Sequence, residues 1–246
     1  MRYQSSGKMM VLIFLLALFS VLGAQQAKDQ ARKFTQQKKT TEDPWFRQEF
    51  FSEQMRTQRE VLSPSCRHFL EQVEKEITYY PVPESSVDPS LTVSYENGWM
   101  AERKYKDTHA HEGTDLMAAR NRRGIYPILS ITDGTVTNIG WLEKGGYRIG
   151  ITSDSGTYYY YAHLESYANL KKGDSIRAGQ LLGYMGDSGY GPEGTTGQFA
   201  VHLHLGIYSY ENGKENSVNP YYVLRFLENK KLKYDLEEPS LIGDTE

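Results

Sequence analysis

With 246 residues and a mass of 28.2 kDa, the chain can hold one domain of ordinary size and an appendage, or two small domains. Its formal net charge of −3 at pH 7 provides no strong basic field, which argues against a protein that binds nucleic acid in bulk. The single cysteine, Cys66, excludes an internal disulfide framework, a cysteine-rich zinc finger and an iron–sulfur cluster. Any bound metal ion must therefore be held by histidines and carboxylates.

Residues 1–24 are predicted to be a signal peptide or an uncleaved signal anchor. Arg2 and Lys8 precede a continuous apolar run at residues 9–24. As a helix this run would reach about 24 Å, short of the roughly 30 Å hydrocarbon core of a bilayer. The basic residues between positions 28 and 39 oppose the positive-inside orientation of an uncleaved anchor, so cleavage stays open. We expect an extracytoplasmic protein, either secreted or anchored to the cell membrane by residues 9–24.

The next two segments are a predicted linker and a predicted helical region. Residues 25–42 are polar and basic, which is typical of a linker. Residues 43–80 are rich in helix formers, and Ser63-Pro64-Ser65 separates two helices. The second helix carries an apolar stripe: Phe69, Leu70, Val73 and Ile77. The stripe favours helices that pack on each other or on the main domain, and a helical pair that binds a protein partner is the alternative.

Residues 81–231 are predicted to form a mainly β, antiparallel domain. Turn-forming sequences such as Asp133-Gly134 and Asp154-Ser155-Gly156 recur at intervals near ten residues, between β-branched and aromatic segments. From Pro220 the sequence predicts a short helix. Residues 232–246 contain many acidic side chains and are predicted to be a solvated tail.

Two histidines are predicted to share one face of a strand. In the segment Val201-His202-Leu203-His204-Leu205, apolar residues alternate with the imidazoles. Side chains on one face of a strand stand about 6.6–7 Å apart, so both rings can reach one small metal-centred site. For an isolated His-x-His pair, two polar residues on the solvated face of a strand is the simpler alternative.

Further candidates precede this strand. His111 and Asp115 offer a nitrogen and an oxygen ligand four residues apart, and Gly113 lets the backbone bring them together. The alternative is a polar turn with an aspartate cap. His163 follows a run of tyrosines, and a lone histidine there is more often a core residue. His109 would face the same way as His111 on an extended backbone, but a solvated residue is the simpler interpretation.

Together, the motifs HEGTD (111–115), YAHL (161–164) and HLH (202–204) resemble those of the lysostaphin-type, LytM-like zinc metallopeptidases. The resemblance covers roughly residues 82–228 and includes the glycine-rich approach at residues 183–197. It implies a mainly β fold of antiparallel sheets with an open groove between them. In this chain a helical region precedes that fold.

The resemblance also implies a role for each motif residue. Zinc would be held by His111, Asp115 and His204, while His163 and His202 would be the catalytic histidines beside the attacking water. Zinc chemistry agrees, because the metal lowers the pKa of a water towards ~7 and an imidazole can take its proton. A helical zincin is excluded, because Glu112 has no second histidine at the H-E-x-x-H spacing.

The function implied by the resemblance is hydrolysis of peptide bonds in peptidoglycan, in the stem peptide or the cross-bridge. One alternative keeps the metal but not the reaction: a membrane-tethered, LytM-like scaffold in a division or sporulation assembly, with residues 43–80 contacting a protein partner. A scaffold needs neither His163 nor His202, so the complete set argues against it. The other alternative, a non-enzymatic glycan-binding module, should lack the metal ligands.

Overall fold

The computed structural model describes residues 71–211 and 214–236. The predicted signal segment, the linker and most of the helical region, including Cys66, lie outside this part of the chain. Strands dominate the described residues and nearly all pair antiparallel, which confirms the predicted fold class. Among the helices of this part, none has the length and apolar character needed to cross a membrane.

The strands are short in the first third of the described chain and longer towards its centre. They are β1 (Glu84–Ser85), β2 (Val93–Tyr95), β3 (Glu102–Tyr105), β4 (Asp107–Ala110), β5 (Thr114–Ala118), β6 (Pro127–Leu129), β7 (Gly134–Leu142), β8 (Gly146–Thr152), β9 (Tyr158–Tyr167), β10 (Ser175–Ile176), β11 (Leu181–Met185), β12 (His202–Glu211), β13 (Lys214–Val218) and β14 (Lys233–Tyr234). The helical residues 71–76 are termed α1, and α2 is Pro220–Leu227.

Ten of the described strands belong to one sheet, and its order brings distant motifs together. The path runs β10-β7-β8-β9-β12-β5-β2, so β12 lies between β9 and β5. Strands β7, β8 and β9 follow one another as antiparallel neighbours. The pairing of β12 with β5 joins segments nearly ninety residues apart, and it places the HLH motif beside the HEGTD motif.

Alternation along β12 separates a core face from a polar face, as the sequence predicts. Leu203, Leu205 and Ile207 are fully buried in the hydrophobic core. Since successive side chains of a strand point to opposite faces, His202 and His204 emerge on the other side of the sheet. The apolar face therefore fixes the register that directs both imidazoles to the polar face.

The end of the helical region packs on this core. Val73 and Ile77 are buried among the core residues, and the hydroxyl of Tyr159 donates a 3.0 Å hydrogen bond to Glu76. For residues 71–77 the structure therefore favours packing on the main domain. The earlier residues of the predicted stripe lie outside the described part.

The C-terminal side contributes a helix and one further strand. Helix α2 begins after Asn219, whose side chain accepts a 3.0 Å hydrogen bond from the backbone N–H of Tyr221, and this is an N-cap. Beyond it, β14 pairs in parallel with β1, and Leu236 is buried in the core. The chain thus continues to pack on the domain for several residues after position 231.

Candidate metal centre and active site

Three predicted ligands meet on the polar face of the sheet. His111 Nε2, His204 Nδ1 and Asp115 Oδ1 form a triangle in which each pair of atoms is 3.0 Å apart. Each residue offers one atom to a common point, and all three side chains are buried or partly buried. The structure therefore brings together the three residues that the motifs single out as ligands.

The local sequence explains how these three side chains converge. His204 and Asp115 are directly opposite each other on β12 and β5, and His111 lies just before β5. Gly113 passes beneath the His204 ring: a Cβ there would overlap that ring and lie 2.7 Å from the carbonyl oxygen of Leu205. Gly113 has no positive φ. Its role is to leave space for His204, a more specific reason than backbone freedom.

Hydrogen bonds orient two of the ligands. His111 Nδ1 lies 3.0 Å from the carbonyl oxygen of Gly98, which can only accept, so Nδ1 carries the proton and Nε2 presents its lone pair to the cluster. Arg103 donates from Nη2 to Asp115 Oδ2 at 2.8 Å, which leaves Oδ1 facing the two histidines. Arg103 also lies 3.3 Å from His111 Nδ1, but the Gly98 carbonyl decides the tautomer.

The donor set fits a divalent cation. Burial opposes ionisation of Asp115, but its contacts with the neighbouring imidazoles of His111 and His204 outweigh burial, so the pKa of the carboxyl lies well below its ordinary value. Two imidazole nitrogens and a carboxylate oxygen are a ligand set that zinc accepts. In a tetrahedral zinc site with bonds of about 2.0–2.1 Å, ligand atoms stand roughly 3.3 Å apart, close to the spacing seen here.

His163 approaches the cluster from a bulge in β9. The register of β8 with β9 shifts at this point, and His163 adopts φ 62°, which is uncommon for a residue other than glycine. Its backbone N–H donates to the carbonyl of Gly145 at 2.8 Å, and its Nδ1 lies 2.8 Å from the carbonyl oxygen of Ser188. Nδ1 is therefore the protonated nitrogen, and Nε2 remains a base.

His202, on the neighbouring strand β12, is oriented in the same way, by a hydrogen bond between its Nδ1 and a backbone carbonyl. Its Nδ1 lies 2.7 Å from the carbonyl oxygen of Ala200, so this nitrogen also carries the proton. The rings of His163 and His202 have centroids 4.7 Å apart, and His202 Nε2 is 3.8 Å from Asp115 Oδ1. Two imidazoles with basic Nε2 atoms therefore stand beside the three-ligand cluster without belonging to it.

Burial keeps both of these imidazoles neutral. It lowers the pKa of His163 well below the ordinary value, and the neighbouring His202 and His204 lower it further. Burial also lowers the pKa of His202, partly opposed by Asp115. A neutral imidazole can accept a proton near pH 7, which is what a general base requires.

Aromatic side chains surround His163 and His202, and sequence patterns alone did not identify them. The Phe199 ring lies 4.6 Å from that of His163 and 5.0 Å from that of His202, measured between centroids. Tyr190 contacts Phe199 at 5.1 Å and stacks on Tyr105 at 4.4 Å. These rings pack against the imidazoles and form an apolar rim beside them.

Two further polar residues near the site lie outside the ligand cluster. Ser188, in the glycine-rich approach at residues 183–197, is fully buried: its hydroxyl donates to the Leu164 carbonyl and accepts from the backbone N–H of Tyr147. It thereby fixes the carbonyl that binds His163. His109 lies 3.4 Å from Lys144 Nζ, outside the group of three ligand atoms.

Comparison with known proteins agrees with this geometry. Residues 109–220 match the model for peptidase family M23. The chain is 42% identical over 133 residues to L-Ala–D-Glu endopeptidase of Bacillus subtilis, covering 54% of this chain and 40% of that protein. It is 36% identical over 81 residues to glycyl-glycine endopeptidase ALE-1 of Staphylococcus capitis, covering 32% and 20%.

A solved structure extends the likeness to the fold. A LytM-type protein of Ruminococcus gnavus ATCC 29149 is 57% identical, covers 66% of this chain and 65% of that chain, and superposes with a TM-score of 0.62. The chain spans less than half the length of the two curated relatives. The matching region, residues 109–220, contains all five residues of the candidate site, and this region is a peptidase M23 domain homologous to LytM and to the L-Ala–D-Glu endopeptidase.

Proposed function

We propose that the protein is a zinc metalloendopeptidase that hydrolyses peptide bonds of cell-wall peptidoglycan. One observation carries the proposal: a three-atom ligand cluster, 3.0 Å on each edge, is flanked by two neutral histidines whose Nε2 atoms are not used in hydrogen bonds to the backbone. A metal centre that serves structure alone has no need of such bases. The match to peptidase family M23 and the similarity to two endopeptidases support this assignment.

His111, Asp115 and His204 would hold the metal ion. When bound there, Zn²⁺ polarises the scissile carbonyl and lowers the pKa of a water towards ~7. Gly98 and Arg103 orient the ligand atoms in advance, so the site needs little rearrangement to close around the ion. Three protein ligands leave a coordination position for water or substrate, as in other catalytic zinc sites.

His163 and His202 would move the protons of the reaction. Because each Nδ1–H donates to a backbone carbonyl, each Nε2 can accept the proton of the attacking water. The protonated imidazole can then stabilise the negative charge that develops on the carbonyl oxygen, or deliver the proton to the leaving amine. Their burial favours the neutral form at the start of the cycle.

The names of the relatives suggest which bonds to test. The relative with the longer match is an L-Ala–D-Glu endopeptidase, so a stem-peptide bond is our first candidate. The relative with the shorter match is a glycyl-glycine endopeptidase, so a cross-bridge bond is the second. We further propose that the domain works outside the cytoplasmic membrane. The basic start and apolar run at residues 9–24 support export, and residues 43–80 could contact a protein partner.

The experiment is digestion of purified peptidoglycan by the zinc-loaded protein, followed by mass spectrometry of the released fragments. New amino and carboxyl ends within the peptides would support the proposal and identify the bond. His163→Ala, still loaded with zinc, is the matched inactive control. Zinc uptake without release of any fragment would instead support the non-catalytic scaffold.

A further inference from the structure

Strand register places Arg148 of β8 in the same cross-strand row as the proposed metal ligands His204 and Asp115. On β8, Tyr147 pairs with Leu164 and Ile149 pairs with Tyr161, so Arg148 lies opposite the bulge at residues 162–163 of β9. Ala162 pairs in turn with His204 of β12, which pairs with Asp115 of β5. Arg148 therefore stands in the same row as the metal ligands, two strands away from His204.

The side chain of Arg148 emerges on the face that carries the site. Along β8, Ile149 and Ile151 point to the core face of the sheet, where both are fully buried. Arg148 directly precedes Ile149, so its side chain points to the face opposite the core, and it is only partly buried. That face also carries His204 and Tyr160, whose rings meet edge to face at 5.9 Å.

The guanidinium group of Arg148 lacks the partners that a shielded cation normally has. Its Nε and Nη1 atoms are screened from solvent, yet neither has a hydrogen-bond partner among the described residues. No carboxylate of the described chain forms an ion pair with it. Leaving charged donors shielded and unpaired is unfavourable, and native proteins usually satisfy such groups with a ligand or water.

Two tyrosine hydroxyls lie on the same face, beside the glycines that flank Arg148 in the sequence. Tyr158 and Tyr160 precede the bulge on β9. The Tyr158 hydroxyl occupies the space that a Cβ on Gly150 would need, and the Tyr160 hydroxyl occupies the space that a Cβ on Gly145 would need. The two glycines on either side of Arg148 therefore make room for both hydroxyls. Asn138 donates to the Tyr158 hydroxyl at 3.3 Å, which orients that group.

We propose that Arg148, with Tyr158 and Tyr160, forms a subsite for a carboxylate of the substrate peptide. A planar guanidinium with hydroxyl donors beside it matches a carboxylate in charge and geometry. Two strand spacings separate Arg148 from His204 at about 4.8 Å each, or roughly the length of three extended residues. The carboxylate thus belongs to a residue within about three positions of the bond that is cut.

This inference rests on the proposed function and narrows it to peptides with a free carboxylate near the scissile bond. A D-Glu residue linked through its γ-carboxyl is one such group, because its α-carboxylate stays free. The amidated form of the same residue has nearly the same shape but no charge. The two peptides therefore separate recognition of charge from recognition of shape.

The test compares these two peptides with the full-length protein and three variants: Arg148→Gln, Arg148→Lys and, as a matched control, Arg177→Gln. Arg177 is an exposed arginine after β10, away from the site. We expect Arg148→Gln to lower kcat/KM for the carboxylate peptide by about 10- to 100-fold, mainly through KM, and to change the amide peptide little. Arg148→Lys should retain part of the preference, and Arg177→Gln all of it.

Equal losses on both peptides would overturn the subsite and leave Arg148 a structural role only. If the wild-type protein cleaves neither peptide, the proposed reaction fails, and calorimetric binding of the uncleaved peptides then tests the subsite by itself. Tighter binding of the carboxylate peptide, with the preference abolished in Arg148→Gln, would support it. Equal affinity for both peptides would overturn it.

Discussion

Arg103 donates a 2.8 Å hydrogen bond to Oδ2 of Asp115, the carboxylate oxygen that does not face the two histidines. Arg103 lies on β3, which pairs with β4 in a two-stranded sheet separate from the main one. It also precedes the region that matches the peptidase family, residues 109–220. A residue outside the matched region thus orients Asp115, one of the three proposed metal ligands.

Arg103 is therefore predicted to tune metal affinity. Arg103→Gln should weaken zinc binding by about 10- to 100-fold, because Asp115 would lose the partner that directs Oδ1 to the cluster. Competition with a chelator of known affinity measures the change. Lys104→Gln, a substitution at the exposed neighbouring position, is the control and should leave affinity unchanged. An unaltered zinc affinity in Arg103→Gln would show that Asp115 needs no such support.

Gly113 is predicted to be required for the position of His204. Gly113→Ala places a Cβ within the His204 ring, so the ring must move and zinc content should fall with little loss of β structure. Gly98→Ala is a matched control: its Cβ would stand 3.5 Å from the His111 ring, an ordinary contact. Metal analysis and circular dichroism of both variants check this. Full zinc content in Gly113→Ala would contradict the steric role.

Ile77 is predicted to stabilise the β domain. It is 4% exposed and belongs to the core, so Ile77→Ala should lower the free energy of unfolding by about 2–5 kcal/mol. Lys75→Ala, at an exposed position of α1, should change it by about 0.5 kcal/mol or less. Denaturant titration measures both. If the two variants unfold alike, the end of the helical region is not part of the folding unit.

Much of the candidate site could be predicted from sequence because the three residues proposed as ligands lie in short motifs. His202 and His204 alternate with leucine and valine, and this period-two pattern alone places both on one face. The spacing of His111 and Asp115 carries similar local information. The family resemblance then supplied the proposed division of roles among the histidines.

Other parts of the site depend on contacts between distant segments, which no local pattern encodes. The carbonyls of Gly98 and Ser188 orient His111 and His163, yet a backbone group leaves no signature in the sequence. Arg148 aligns with His204 only through the register of β8, β9 and β12, which includes a bulge. For Gly113, the sequence indicated that glycine mattered, but the ring it accommodates comes from a strand ninety residues later.

The division of roles between His204 and His202 is the central claim. His204 Nδ1 is one of the three clustered ligand atoms, whereas His202 Nε2 lies 3.8 Å from Asp115 Oδ1, outside the cluster. The two histidines share one strand face, so exposure or folding effects should be similar for both substitutions. A difference between their alanine variants therefore reports on chemistry.

The most direct test is zinc content measured beside turnover in His204→Ala and His202→Ala. We expect His204→Ala to lose both zinc and activity, because three protein ligands become two. We expect His202→Ala to keep nearly full zinc while its turnover falls by about 10²–10⁴, the usual contribution of a general acid–base group. Loss of zinc in His202→Ala with retention in His204→Ala would invert the roles, and normal zinc and turnover in both variants would contradict the site itself.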